Sequence, residues 1–251
     1  VTERHTARTW RDVVRGRLDS LGLADQARTV RHWVRSRGGR TDDQLIADHL
    51  ATVSAPRLHL GCGTRLLDGW LNSDFSPRTT GSIRIDATQP LPFATDTFAY
   101  VYSEHMIEHI DRLDGERLLA EVCRVLRPGG RLRIATPDLG RLLALFRPAE
   151  EYTGDEQRYI DEIAKDHLPG VEPGAATAVQ ILNNNVREWG HQYLYDAASF
   201  EAALARAGFG QIEQFELQES NDAELAGLAN AGRMLDGLVA FETMTFEAVA
   251  P

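Results

Sequence analysis

The run Leu58-His59-Leu60-Gly61-Cys62-Gly63 constrains this chain most. It is a short apolar segment that ends in a glycine pair. Such a turn lets the backbone approach a bound nucleotide where a Cβ would clash. Two further apolar segments end in acids, Leu71-Asn72-Ser73-Asp74-Phe75 and Ile83-Arg84-Ile85-Asp86-Ala87. A fourth, Ala99-Tyr100-Val101-Tyr102-Ser103, is followed by Glu104 and His105, and a fifth follows Leu126-Arg127-Pro128-Gly129-Gly130. The glycine pair, Asp74, Asp86 and Ser103 then stand at the C-terminal ends of strands. A doubly wound sheet binds its ligands along that edge.

The glycine loop, the two spaced acids and the Leu-Arg-Pro-Gly-Gly turn together resemble the class I S-adenosylmethionine-dependent methyltransferases, over roughly residues 55 to 250. The resemblance implies an α/β fold: a Rossmann-like, doubly wound, mostly parallel seven-stranded sheet. It implies S-adenosyl-L-methionine as cofactor, with Gly61, Cys62, Gly63 and Ser103 lining its site. Asp74 would accept from the ribose hydroxyls and Asp86 from the adenine amino group. Ala87 would offer backbone polar atoms to the ring, and Phe75 would pack on its face. The chain departs from the family pattern at three positions. His59 stands where an acid is usual, Arg65 at the third glycine of the loop, and Ala99 where an Asp often precedes the fourth strand. A nicotinamide fingerprint is a poor fit, because Leu66 stands where its last glycine belongs.

The spacing predicts strands near 57–61, 70–74, 82–86, 98–103, 131–136, 211–217 and 243–249. Alternation of strands with helices implies a largely parallel arrangement. A helix near 112–126 carries Leu113, Leu118, Leu119, Val122 and Leu126, and Asp196 caps another carrying Phe200, Leu204 and Ala207. Residues 1–54 read as an N-terminal helical preface. Trp10, Val13, Val14, Leu18 and Leu21 recur at helical spacing, Val30, Trp33 and Val34 begin a second helix, and Thr41 with Gln44 makes a capping box for a third. Residues 55–251 are the sheet domain. Within it, residues 139–192 are an insertion after strand five, long for a connection and placed to fold over the ligand edge as a substrate lid.

The net charge is −10. Residues 1–40 hold ten arginines and four acids, a local charge of +6, which leaves −16 on the remainder. An acidic body argues against nucleic acid as a partner. The loop after strand four reads Ser103-Glu104-His105, not the Asp/Asn-Pro-Pro-aromatic loop of amino-directed nucleic-acid methyltransferases. Nor does its second acid stand at the spacing of the double-acid loop in the protein arginine methyltransferases. Neither Cys62 nor Cys123 follows a proline there, as a cytosine-C5 nucleophile would.

His105-Met106-Ile107-Glu108-His109 matches the H-x-x-E-H zinc pattern. On a helix, His105 and His109 would share a face and Glu108 would be the general base. The family resemblance also implies a Glu-His pair here, and the reading taken assigns no metal. Methyl transfer to a hydroxyl or a protonated amine benefits from a base. His105 at the crevice and His191 in Gly190-His191-Gln192-Tyr193 are the candidates, since imidazole titrates near neutrality.

The expectation is a bacterial class I methyltransferase that O- or N-methylates a small molecule, in a secondary-metabolite or sugar-tailoring setting. The alternatives are a non-catalytic relative that binds the cofactor and acts through partners, and an H-x-x-E-H zinc hydrolase. No apolar run approaches the roughly 20 residues of a membrane span, so no membrane association is expected. The first residues are polar and basic and the two cysteines read as free thiols, which points to the cytoplasm. A homodimer is compatible with this reading.

Overall fold

The first predicted strand forms as β1 (Arg57–Leu60) and delivers the chain directly into the glycine loop. The structure is a computed structural model that describes residues 40–172, 174–229 and 238–251. The helices expected around Trp10 to Leu21 and around Val30 to Val34 lie outside the described residues. The third does form, as α1 (Asp42–Thr52). Its capping box is the predicted one: the Gln44 N–H donates to Thr41 Oγ1 at 3.3 Å, and the Thr41 N–H donates to Gln44 Oε1 at 2.9 Å.

β2 (Leu71–Asp74), β3 (Ser82–Arg84) and β4 (Phe98–Glu104) follow β1. Then come α2 (Arg112–Val125) and β5 (Leu126–Pro137), and at the far end β6 (Gly210–Phe215) and β7 (Thr243–Val249). They form a seven-stranded sheet in the order β3-β2-β1-β4-β5-β7-β6. β1 pairs in parallel with both β2 and β4 (Leu58 opposite Leu71 and Val101), while β7 runs antiparallel between β5 and β6. Strand order therefore reverses at β1 and β4. The crevice outside their C-terminal ends is where open α/β sheets take ligands.

The central strands are apolar because they are covered on both faces. Leu58, Leu60, Val101, Leu132 and Ile134 are buried with Leu118, Leu119, Val122 and Val125 of α2. Asp111 caps α2 by accepting from the Asp114 N–H. Leu113 departs from the expected face and lies half exposed, and Leu126 begins β5 instead of ending the helix. β5 starts earlier than predicted because Leu126 already pairs with Phe98. The glycine turn is held by Gly129 N–H to the Ala250 carbonyl and Ala250 N–H to the Gly130 carbonyl. Arg133 is fully buried on β5. It pairs with Glu247 of β7 and donates to the Leu217 and Glu219 carbonyls, each at 2.7 Å.

The insertion is more helical than its Gly/Pro content suggests. It forms α3 (Leu139–Ala144), α4 (Gly154–His167) and α5 (Ala178–Arg187) around a core of their own, in which Leu142, Leu145, Tyr159, Ile163 and Ile181 are buried. Both ends of the insertion meet at one point, where the Leu139 N–H donates to the Tyr195 carbonyl at 2.8 Å. Within the asparagine run of α5, Asn183 is exposed and Asn185 is fully buried, donating to the Tyr159 hydroxyl at 3.1 Å. Asp196 caps α6 (Ala197–Arg206), and α7 (Leu238–Glu242) leads into β7. No described helix is long and apolar enough to cross a membrane.

Candidate functional site

A cleft of about 660 Å³ opens at the C-terminal ends of β1, β2 and β4, a size typical of small-molecule sites. The glycine loop forms its floor. Gly61 has φ 73°, and a Cβ there would lie 2.4 Å from Met106 Cγ, so this glycine makes room for a protein neighbour. Gly63 has φ 55°, and a Cβ there would meet nothing within 4 Å. Its backbone faces open space. Cys62 lines the cleft as a protonated thiol, since burial and then the nearby Asp74 carboxylate push its pKa up to about 12.

Asp74 ends β2 and ties the loop to the sheet edge. Its Oδ2 accepts from the Gly63 N–H at 2.9 Å and its Oδ1 from the Ser76 N–H at 2.8 Å. Each oxygen keeps a second lone pair. Asp86 Oδ1 accepts from the Thr88 N–H at 3.0 Å and from the Thr88 hydroxyl at 2.7 Å. Ala87 lines the same wall, and Phe75 is exposed at its rim with the Arg84 guanidinium 5.0 Å from its ring centroid. Ser103 is the exception among the residues expected here. Its side chain turns into the protein and is buried with its hydroxyl unpaired, and the wall at that level is made by the next residue, Glu104. Alternation along β4 puts neighbouring side chains on opposite faces.

Sequence reasoning left open what stands in for the family's acid at position 59. His59 is buried, with Nδ1 3.0 Å from Asn72 Oδ1. Burial, with Arg65 nearby, lowers its pKa to about 4, so it is neutral at pH 7. At this end of the cleft charge comes instead from Glu104 and Arg65. Glu104 at the end of β4 and Arg65 in the loop face each other at 3.7 Å, and the Arg65 guanidinium also donates to the Leu228 carbonyl. Arg65 was visible in the sequence only as a departure from pattern, and the pairing needed the fold.

His105 and His109 form part of the cleft wall and also line a second cavity of about 270 Å³, with His167, Asn185, Trp189, His191 and Glu242. Two expectations change here. His105 has φ 49° and lies outside the short 3-10 turn Ile107–His109, so it shares no helix face with His109. Its Nε2 is 3.0 Å from Thr243 Oγ1 and its Nδ1 is 3.2 Å from Glu108 Oε1, so both ring nitrogens are occupied inside the protein. That is the geometry of a positioning residue, not of a base open to the cleft. His191, expected on the opposite side of this cleft, does not line it. It faces the second cavity, and of the insertion's described residues only Gln192 touches the cleft. Its Nδ1 is 2.6 Å from the Asn185 carbonyl oxygen, and burial, the largest influence, keeps its pKa below the ordinary imidazole value.

Glu108, beside His105, is fully buried. Burial alone would raise its pKa, but the surrounding histidines outweigh that and hold it low. Trp189, at the mouth of the second cavity, has φ 58°. A bulky residue in that region carries strain of about 1–3 kcal/mol, which structures tend to concentrate at functional sites.

Residues 58–134 match the family model described as a methyltransferase domain. The match runs from β1 into β5 and spans the glycine loop, Asp74, Asp86 and the Glu104–His109 segment. A malonyl-[acyl-carrier protein] O-methyltransferase of Methylococcus capsulatus is 29% identical over 130 residues, covering 42% of this chain and 46% of that relative. The chain thus spans about half the length of the curated relative it matches. Among solved structures, an S-adenosylmethionine-dependent methyltransferase from Mesorhizobium loti is 17% identical with a TM-score of 0.47, covering 84% of this chain and 98% of that one. One from Archaeoglobus fulgidus is 12% identical with a TM-score of 0.46, covering 87% and 94%.

Proposed function

We propose that this chain, which carries a class I S-adenosylmethionine-dependent methyltransferase domain, transfers a methyl group to an oxygen or nitrogen of a small-molecule acceptor. The observation that carries this reading is the charge layout of the cleft. A paired carboxylate and guanidinium, Glu104 and Arg65, stand at one end beside the glycine loop, and two carboxylates, Asp74 and Asp86, stand along the other wall. S-adenosylmethionine carries an ammonium, a carboxylate, a ribose diol and an exocyclic amine, and these four features match Glu104, Arg65, Asp74 and Asp86 in that order.

Glu104 accepts from the ammonium, the role that the missing acid at position 59 leaves vacant, and Arg65 donates to the carboxylate. Asp74 accepts from the ribose hydroxyls, Asp86 from the adenine amine, and the open backbone of Gly63 lets the chain approach closely. The cofactor supplies an electrophilic methyl group on a sulfonium. The protein's contribution is orientation, which can account for much of the rate of an in-line displacement. The acceptor occupies the part of the cleft walled by Met106, His109, Ile110 and Gln192. The helical insertion stands behind that wall, where Ile163, His167, Asn185, Trp189 and His191 line the second cavity.

Calorimetry with S-adenosylhomocysteine tests the assignment. Glu104→Gln should lose about 1.5–3 kcal/mol of affinity, the usual scale for a charged hydrogen-bond partner. Unchanged affinity in that variant would remove Glu104 from the site. Tight cofactor binding with no turnover on hydroxyl and amine acceptors would favour the non-catalytic alternative.

A further inference from the structure

We propose that Glu108, His109 and His191 form a binding site for a divalent transition-metal ion of zinc-like preference, in the wall between the cleft and the second cavity. Each residue offers one ligand atom, and the three atoms lie within 4.8 Å of one another. Ligands about 2.1 Å from a tetrahedral ion stand roughly 3.4 Å apart, so small side-chain rotations close the set.

The three are held in place by backbone, not by chance proximity. The Glu108 carbonyl accepts from the Gln192 N–H at 2.7 Å and from the Tyr193 N–H at 3.3 Å, and the Gln192 side chain donates to the His109 carbonyl at 2.7 Å. These bonds staple the segment after His191 to the turn that carries Glu108 and His109. The His109 and His191 ring centroids are then 5.0 Å apart.

Two polar groups in this cluster are prepared for a cation. His191 Nδ1 lies against a carbonyl oxygen, which can only accept, so Nδ1 carries the proton and Nε2 presents a bare lone pair. Metal-ligating imidazoles are oriented by this kind of outer bond. Glu108 is 0% exposed; Oε2 accepts from Thr136 Oγ1 at 3.1 Å, but Oε1 has no hydrogen bond. His105 Nδ1 stands 3.2 Å from Oε1 as an ion-pair contact, without satisfying it as a hydrogen bond. A buried carboxylate oxygen without a hydrogen bond keeps its lone pairs available to a cation.

Two imidazoles and one carboxylate, without thiolate, suit zinc and neighbouring first-row ions and leave a coordination position free. The second cavity provides room for a water or a ligand there. The site is not the H-x-x-E-H arrangement. It shares Glu108 and His109 with that pattern, but His191 takes the place of His105.

The test is an optical titration of the chelator-stripped full chain with Co²⁺ as the probe ion. One saturable equivalent is expected, with visible d–d bands that Zn²⁺ abolishes by competition. His109→Gln and His191→Gln should each weaken binding by roughly tenfold or more, the scale on which even outer-shell partners act. Asp74→Ala, in the cofactor cleft, should leave the titration unchanged and alter only the calorimetry. Both histidines are only partly buried, so the variants should fold, and circular dichroism checks it. Absence of a saturable equivalent, or wild-type affinity in either folded histidine variant, overturns the site. Neither outcome bears on cofactor binding, which is measured separately.

Discussion

His59 shows how one residue type can be swapped without emptying its place. A buried neutral imidazole bonded to Asn72 is compatible with the floor of the cleft, whereas a charge there would need a partner. Its folded pKa of about 4 lies below the ordinary 6.5. A depressed histidine stabilises the fold fully above pH 6.5 and loses that contribution as pH falls through about 4, a difference on the order of 3 kcal/mol. Thermal melts from pH 7.5 to 4 should therefore show a steep fall that flattens in His59→Gln. Parallel curves for the two proteins would show that His59 is not the group responsible. Asp74→Ala should weaken S-adenosylhomocysteine binding by about 1.5–3 kcal/mol, because it removes a charged acceptor and also releases the Gly63 N–H. Equal affinity by calorimetry would separate Asp74 from the cofactor.

At the scale of elements, the glycine loop divides its two glycines between packing and access. Gly61→Ala should lower stability by roughly 1–3 kcal/mol, through the positive φ and the clash with Met106. Adding Met106→Ala should recover the clash but not the backbone strain, so denaturant melts of the double variant should fall between wild type and the single variant. Gly63→Ala, with open space ahead of its Cβ, should affect cofactor affinity more than the strain at its φ of 55° affects folding. A double variant no more stable than Gly61→Ala would mean that Met106 is not what that glycine accommodates. In the insertion, Tyr159 donates to Glu242 Oε2 at 2.8 Å and accepts from Asn185, joining α4, α5 and α7 in one buried network. Tyr159→Phe leaves Glu242 and Asn185 short of a partner and should cost about 1–3 kcal/mol. A melt indistinguishable from wild type would show that the network adds nothing to the insertion.

Across the whole molecule, the sequence made the sheet legible because its signals are local. A strand that must be buried on both faces is written as an apolar run, and its end as a glycine or an acid. The helix caps at Thr41 and Asp196 were readable for the same reason, since a cap is settled within four residues. Gly61, Cys62, Gly63, Asp74, Phe75, Asp86 and Ala87 all line one cleft because strand ends in a doubly wound sheet converge. Ser103 and Glu104 show the limit of that argument, since a single step along a strand moves a side chain to the other face. What only the tertiary structure decided was the company each polar residue keeps. Glu104 meets Arg65 across the cleft, His105 is enclosed by Thr243 and Glu108, and His191 is drawn to His109 by hydrogen bonds from the residues that follow it. Those neighbours are distant in the chain, and their side chains carry no periodicity that announces them. Apolar pattern and turn chemistry specify where the backbone goes, while contact between polar groups depends on how the insertion closes on the sheet.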